Sequence, residues 1–219
     1  MVRRAMDSVE LSDNLSILLR EGTRAQHVRA ERSGFIADLL RGRGEHAGYV
    51  LLLRNLLPAY RALEQGLEHH GASPVFAGLA WPALFRAHAL ERDLDALAGP
   101  DWPRTIALLP EGMRYAEVVT AAGVGAGHGL LAHAYTRYLG DLSGGQVIGR
   151  LLGRTLGMGE EALSFYRFPA IEDPDAFKRD FRIALDAASP LVDRASVVEE
   201  AVAAFELNIA LSEAIRRAV

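Results

Sequence analysis

Arg20, Thr23, His27 and Glu31 follow one another at spacings of three, four and four residues. On an α-helix those spacings put all four side chains on one stripe. Glu31, one turn beyond His27, stands where a carboxylate can orient an imidazole directly or through water, as the partners of metal-ligating histidines do. An imidazole held this way suits haem iron as a proximal ligand. At 1.5 Å per residue Arg20 lies about 10 Å along the helix from His27, the scale that separates a haem iron from its propionates. The same spacing also describes an ordinary His–Glu pair on the surface of an amphipathic helix, and spacing alone does not separate the two.

A second group lies in the run Tyr135-Thr136-Arg137-Tyr138-Leu139-Gly140-Asp141-Leu142-Ser143-Gly144-Gly145-Gln146. Gly140, Gly144 and Gly145 interrupt a pattern that is helical on both sides. Each interior glycine costs about 1 kcal/mol against alanine, about 3 kcal/mol in all. Glycine lets a helix bend and lets its backbone approach a flat ligand closely. Asp141 follows Arg137 by one turn and can pair with it. Close packing against another helix explains these glycines as well as ligand approach does.

These residues need elements to carry them. The chain has 219 residues, half of them hydrophobic, with no Cys. Length and composition predict one domain over residues 1–219, with 1–10 flexible, and exclude a disordered chain. The absence of Cys excludes disulfides, thiolate metal sites and cysteine nucleophiles. A formal charge of −4 argues against a dedicated nucleic-acid binder. Only one of the basic residues is a lysine, Lys178. No apolar run follows Arg3 and Arg4, so no secretory signal is expected, and no membrane-anchoring tail either. The uncharged stretch Val118 to Thr136 is too rich in glycine and too polar for a span. A cytoplasmic protein is the expectation.

Apolar periodicity is helical nearly throughout. It predicts helices over about Ser12–Glu31, Ser33–Gly42 and Glu45–His70, the last kinked at Pro58. Further helices are predicted from Pro82 to Leu97, Glu111 to Ala122, and Gly127 to Leu156 with a break at Gly140–Gly145. Pro174 and Pro190 are read as opening the last two. The fold class is all-α, a single-domain helical bundle. Gly127-x-Gly129-x-x-Ala132 imitates part of a dinucleotide fingerprint, but no strand precedes it.

Tyr-Leu-Gly-Asp-Leu-Ser-Gly-Gly-Gln, following Ala-His-Ala-Tyr-Thr-Arg, resembles the signature of the haem oxygenases. Thr23, His27 and Glu31 stand where that family carries Thr-x-x-x-His-x-x-x-Glu on its first helix. The resemblance runs from about Leu18 to Leu211 in the same order. It implies haem sandwiched between the first helix and the kinked, glycine-rich distal helix. It makes His27 the proximal iron ligand with Glu31 behind it, and lays Gly140, Gly144 and Gly145 over the distal haem face. Asp141 then holds a water network that protonates bound O2, with Tyr60, Arg137 and Asn208 as its other members. Arg20, Lys178 and Arg182, with Tyr135 beside them, match the family's propionate-binding cations, and Phe205 matches an aromatic in the pocket wall.

The activity implied is the O2- and electron-dependent opening of haem b, substrate and cofactor together, to biliverdin, CO and ferrous iron. No flavin or nicotinamide motif is present, so a ferredoxin- or flavodoxin-type donor is expected, docking near Arg20, Lys178, Arg179 and Arg182. The protein is expected to be a monomer. The main alternative is a haem carrier or storage protein, which needs His27 and the cations but not Asp141, Arg137 or the glycine kink. A thiamin-pyrimidine enzyme of similar bundle shape is a weaker rival, because its usual Cys nucleophile is missing. The other histidines, His133 among them, are read as structural, solvated or capping.

Overall fold

Helix starts are written plainly in this chain. Asp173 accepts hydrogen bonds from the amides of Asp175 and Ala176, both at 2.9 Å, ahead of Pro174 in the first turn. A side-chain oxygen at that place satisfies amides that have no partner within the helix. The computed structural model describes residues 13–78 and 81–219. Ser12 and the expected flexible segment 1–10 lie outside the described residues.

Eleven α-helices are assigned among the described residues: α1 Leu15–Gly22, α2 Arg24–Arg32, α3 Gly34–Leu40, α4 His46–His69, α5 Ala87–Ala98, α6 Trp102–Thr105, α7 Pro110–Ala122, α8 Gly129–Gly140, α9 Gln146–Thr155, α10 Pro174–Ala188 and α11 Arg194–Ala218. Short 3-10 turns join several of them, and no strand occurs among the described residues. The fold is all-α, as expected. None of these helices is long and apolar enough to cross a membrane.

Two long helices organise the rest. α4 buries twelve of its 24 residues and packs against α5 and α7. α11 packs against α8, α3, α1, α2 and α7. One apolar cluster runs from Leu15 in α1 to Ile215 in α11. At Gly34, φ is +59° and an added Cβ would stand 2.3 Å from the Ser212 backbone, so only glycine lets the start of α3 press onto α11.

Three boundaries differ from the expectation. The first helix is broken at Thr23, whose backbone turns to φ −102° and ψ 3°. The Thr23 hydroxyl donates to the Leu19 carbonyl at 2.7 Å, a back-bond that bends helices. Arg20 therefore sits on α1, and His27 and Glu31 sit on α2. Pro82 lies in a 3-10 turn, Trp81–Leu84, and the following α-helix begins only at Ala87. Its start is capped from a distance: the Glu64 carboxylate in α4 accepts from the amides of Arg86 and Ala87. Pro190 belongs to a 3-10 turn, Ser189–Leu191, and the last helix starts behind Asp193, which accepts from the Ala195 amide. α4 runs through Pro58 to His69.

Candidate active site

The glycine run is helical throughout, but Asp141–Gly145 forms a single π-helical turn between α8 and α9. Such turns widen the helix by one residue and are frequent at functional sites. What holds it lies on the next layer. Asp93, fully buried in α5, accepts from the amides of Ser164 and Phe165, both at 2.8 Å. This fixes the turn Ser164–Tyr166. Gln146 then donates to the Tyr166 carbonyl at 2.6 Å.

The three glycines do different things. A Cβ on Gly145 would lie 2.9 Å from the Tyr166 ring, so that glycine serves close packing. It is buried and turned inward, which removes the expectation that it faces a ligand together with the other two. Gly140 and Gly144 are exposed, and a Cβ on either would meet nothing within 4 Å. Their backbone therefore forms a stretch of bare surface with open space above it.

Asp141, at the start of the π-helical turn, is joined to Tyr60, Arg137 and Asn208 from three helices, α4, α8 and α11. Tyr60 in α4 donates its hydroxyl proton to Asp141 Oδ2. Arg137 in α8 donates from Nε to the Tyr60 hydroxyl at 2.9 Å, and from Nη2 to Asp141 Oδ1 at 3.3 Å. Its Nη1 donates to Asn208 Oδ1 in α11. Asn208 in turn donates to the Tyr115 hydroxyl in α7 at 2.9 Å. The Arg137 guanidinium also sits 5.1 Å from the centre of the Tyr60 ring.

The electrostatics follow from burial. Asp141 is only 5% exposed. Burial pushes its carboxyl above the usual value, against the opposing pull of Arg137, the Tyr60 hydrogen bond and Arg86. Burial also works against the Arg137 charge, but the oxygens of Tyr60, Asp141 and Tyr115 more than offset it, so the guanidinium stays charged. Burial raises the Tyr60 hydroxyl well above its usual value, so it remains a donor.

His27 lies on α2, which buries no residue. Its side chain is 57% exposed, and its Nδ1 is 3.7 Å from Glu31 Oε1, too long for a direct hydrogen bond. Its ring meets the edge of Phe205 at 5.8 Å between centroids. Phe205 and Asn208 lie one turn apart on α11, so this helix joins the histidine to the Arg137 network. Arg29 adds an ion pair to Glu206, again between α2 and α11.

Tyr135 lies on α8, half-buried. Burial raises its hydroxyl, opposed by a hydrogen bond with Thr23 and by the charges of Arg182 and Arg20. Arg20 is 72% exposed and pairs with Glu21 at 2.9 Å. Lys178, 18% exposed, reaches Asp175 at 2.7 Å. Arg182, one turn on, donates to the Lys178 carbonyl at 3.1 Å. His133 is fully buried on α8 with its Nε2 2.8 Å from Glu200, a structural tie as expected.

Tyr115, Glu64, Arg86 and Tyr166 were not found from the sequence. Tyr115 reads as a core aromatic, and its link to Asn208 crosses 93 residues. Glu64 gives a faint signal, one turn after Tyr60 on the same face of α4.

Comparison with known proteins gives one family. The family model described as heme oxygenase matches residues 13–214. Heme oxygenase 1 of Rattus norvegicus is 37% identical over 217 residues, covering 97% of this chain and 74% of its own. Heme oxygenase 1 of the cyanobacterium Nostoc is 36% identical, covering 91% of this chain and 84% of its own. Among solved structures, heme oxygenase-1 of Synechocystis in complex with heme superposes with a TM-score of 0.88 at 33% identity, covering 94% of this chain and 93% of that one. Agreement in sequence and in backbone over nearly the whole length places this chain in the haem oxygenase family.

Proposed function

We propose that this chain is a haem oxygenase working as one domain: with O2 and electrons it opens haem to biliverdin, CO and ferrous iron. The observation that carries this over haem storage is the closed network of Asp141, Tyr60, Arg137 and Asn208 beneath the bare backbone of Gly140 and Gly144. A carrier needs an imidazole and cations for the propionates. It does not need a buried carboxylate fixed by two hydrogen-bonding partners beside the ligand face.

Haem is the substrate, and its iron supplies O2 binding and activation. The residues present fit it. His27 presents an imidazole beside Phe205, and Gly140 with Gly144 offers a flat surface where no side chain intervenes. His27 would ligate the iron, and Glu31, one turn on along α2, is placed to orient its ring by a small side-chain rotation. Arg20, Lys178 and Arg182, with the Tyr135 hydroxyl, hold the two propionates by charge-assisted bonds. Lys178 exchanges its pairing with the exposed Asp175 for a propionate.

Asp141 does the proton work. Its two oxygens are held by Tyr60 and Arg137, and its carboxylate orients water on the ligand side. Such a positioned group contributes typically 10²–10⁴-fold. Arg137 keeps the carboxylate in place, Asn208 and Tyr115 keep Arg137 in place, and Phe205 walls the pocket. The bare backbone of Gly140 and Gly144 would let a haem bound there lie close against the helix, with no side chain between.

Electrons come from a ferredoxin- or flavodoxin-type protein. It docks near Arg20, Lys178, Arg179 and Arg182, where α10 also exposes Asp180 and the apolar Ile183. The protein acts as a monomer in the cytoplasm. The test is haemin titration followed by a reductant in air. Loss of the Soret band with appearance of biliverdin supports the enzyme, and a stable reduced haem complex supports the carrier.

A further inference from the structure

The amide of Ser16 lies in the first turn of α1, where no carbonyl of the same helix can accept it. Asp186 of α10 takes that place from 170 residues away. Its Oδ1 accepts from the Ser16 amide at 2.8 Å and its Oδ2 from the Ser16 hydroxyl at 3.0 Å. Both oxygens of one carboxylate thus grip one residue. The pair is partly buried, so salt screens it less than an open surface pair. A carboxylate at a helix start also meets the positive end of the helix dipole. A second tie lies beside it: the Asp13 carbonyl accepts from the Ser189 hydroxyl, just past the end of α10, at 2.5 Å. Together the two ties define a register. Three residues forward from Asp13 to Ser16 match three residues back from Ser189 to Asp186, so α1 and α10 run antiparallel along their seam. One helical turn further, the same register sets Arg20 on α1 opposite Arg182 on α10. Lys178 follows one more turn along that side of α10.

We propose that Asp186 is a positioning residue for the propionate site: by gripping Ser16 it fixes the offset between Arg20 and Arg182, and with it the single rotational setting of the haem. This rests on the reading of those two arginines as propionate partners. Leu15 and Leu19 are fully buried and hold α1 to the core. Apolar contact is non-directional, however, and does not by itself stop α1 from sliding or turning against α10. Two directed hydrogen bonds to one carboxylate do. The grip also keeps the acid occupied. Arg182 is one turn from Asp186, yet it donates to the Lys178 carbonyl at 3.1 Å instead, and its exposed head is left for an anion. Without Asp186, α1 keeps its apolar contacts and loses its fixed register, so the two cations no longer stand at one separation.

The test has one readout without haem and one with it. The chain has no Cys, so Arg20→Cys/Arg182→Cys carries nitroxide labels at those two positions alone. In haem-free protein the label pair is predicted to show one narrow distance, and adding Asp186→Ala is predicted to lose it. In the otherwise unchanged chain, Asp186→Ala is predicted to weaken haemin binding by about tenfold and to give more than one biliverdin isomer. Asp186→Asn, whose amide can still bond both the Ser16 amide and its hydroxyl, is predicted to stay close to the wild type. With Arg20→Ala/Arg182→Ala already in place, Asp186→Ala is predicted to cost no further affinity, because it acts through those cations. Asp186→Ala that keeps the narrow distance and a single isomer at wild-type affinity overturns the proposal, and a lowered melting temperature with both readouts unmoved overturns it equally. Should Asp186→Ala fail to fold, Ser16→Ala, which loses only the hydroxyl bond, is predicted to move both readouts the same way by less, and wild-type behaviour there overturns the proposal. A lost distance in Asp186→Ala, together with Arg20→Ala/Arg182→Ala that binds haemin as the wild type does and yields one isomer, leaves Asp186 as the grip on α1 and refutes the propionate reading instead.

Discussion

Gly140 and Gly144 lower the stability of their helix, and that cost is measurable. Both lie in helical backbone, with φ −63° and ψ −47° at Gly140 and no positive φ at Gly144. A Cβ on either meets nothing within 4 Å. Alanine at such a position gains about 1 kcal/mol in helix propensity. The double variant Gly140→Ala/Gly144→Ala should therefore stabilise the haem-free protein by about 2 kcal/mol. For a chain of this length that corresponds to a rise in melting temperature of roughly 4–8 °C. Gly145→Ala should do the reverse, because its Cβ would stand 2.9 Å from the Tyr166 ring in a tightly packed turn. Overpacking of this kind costs about 1–3 kcal/mol. The two added methyl groups also stand where the haem face belongs, so haemin affinity and turnover should fall although the fold is stronger. Thermal unfolding with and without haemin, followed by haemin titration, gives all of these signs. A double variant that melts lower without haem, or that binds and turns over haemin as the wild type does, refutes the assignment of this surface.

His27→Ala should keep the fold, because α2 buries no residue. It should lose the imidazole-ligated haem spectrum and nearly all turnover, with partial return on adding imidazole; a retained wild-type spectrum assigns the iron to another residue. Lys178→Ala/Arg182→Ala should weaken haemin binding and mix the biliverdin isomers, the partly buried Lys178 contributing about 1.5–3 kcal/mol and the exposed Arg182 less. An unchanged single isomer would remove both residues from propionate binding. Turnover should show an acid limb above the ordinary aspartate range, because burial raises the Asp141 carboxyl and its charged form is lost as pH falls through that raised value. Asp141→Asn should abolish this limb in a pH–rate profile, and a limb that survives belongs to another group.

Local chemistry made much of this legible in the sequence. Pro174 marks a helix start through a backbone rule that acts within one turn, and α3 begins right after Ser33, where the sequence reading starts it. The pairing of Arg137 with Asp141 follows from one helical turn. The break at Thr23 was hidden because a threonine inside a helical pattern is common, and its bend depends on where its hydroxyl bonds. The start of α5 is not legible in the sequence because its cap, Glu64, comes from more than twenty residues upstream. Tyr115 and Arg86 stayed hidden for a similar reason. A phenol bonded across 93 residues and a guanidinium facing backbone carbonyls leave no spacing to read. Gly145 shares its sequence context with Gly144 and differs only in what the fold sets against it, which is Tyr166.

The measurement that bears most directly on the account is single-turnover absorbance of the haem complex with a reductant in air, wild type against Asp141→Ala. The variant leaves His27, the propionate cations and the glycine surface untouched, so haemin binding and the Soret position should stay nearly the same. Wild-type protein should lose its Soret band and form biliverdin, while Asp141→Ala should form it slower by about 10²–10⁴-fold. Biliverdin formed by Asp141→Ala at the wild-type rate contradicts the proton-handling network, and wild-type haem that survives reduction in air contradicts the enzyme.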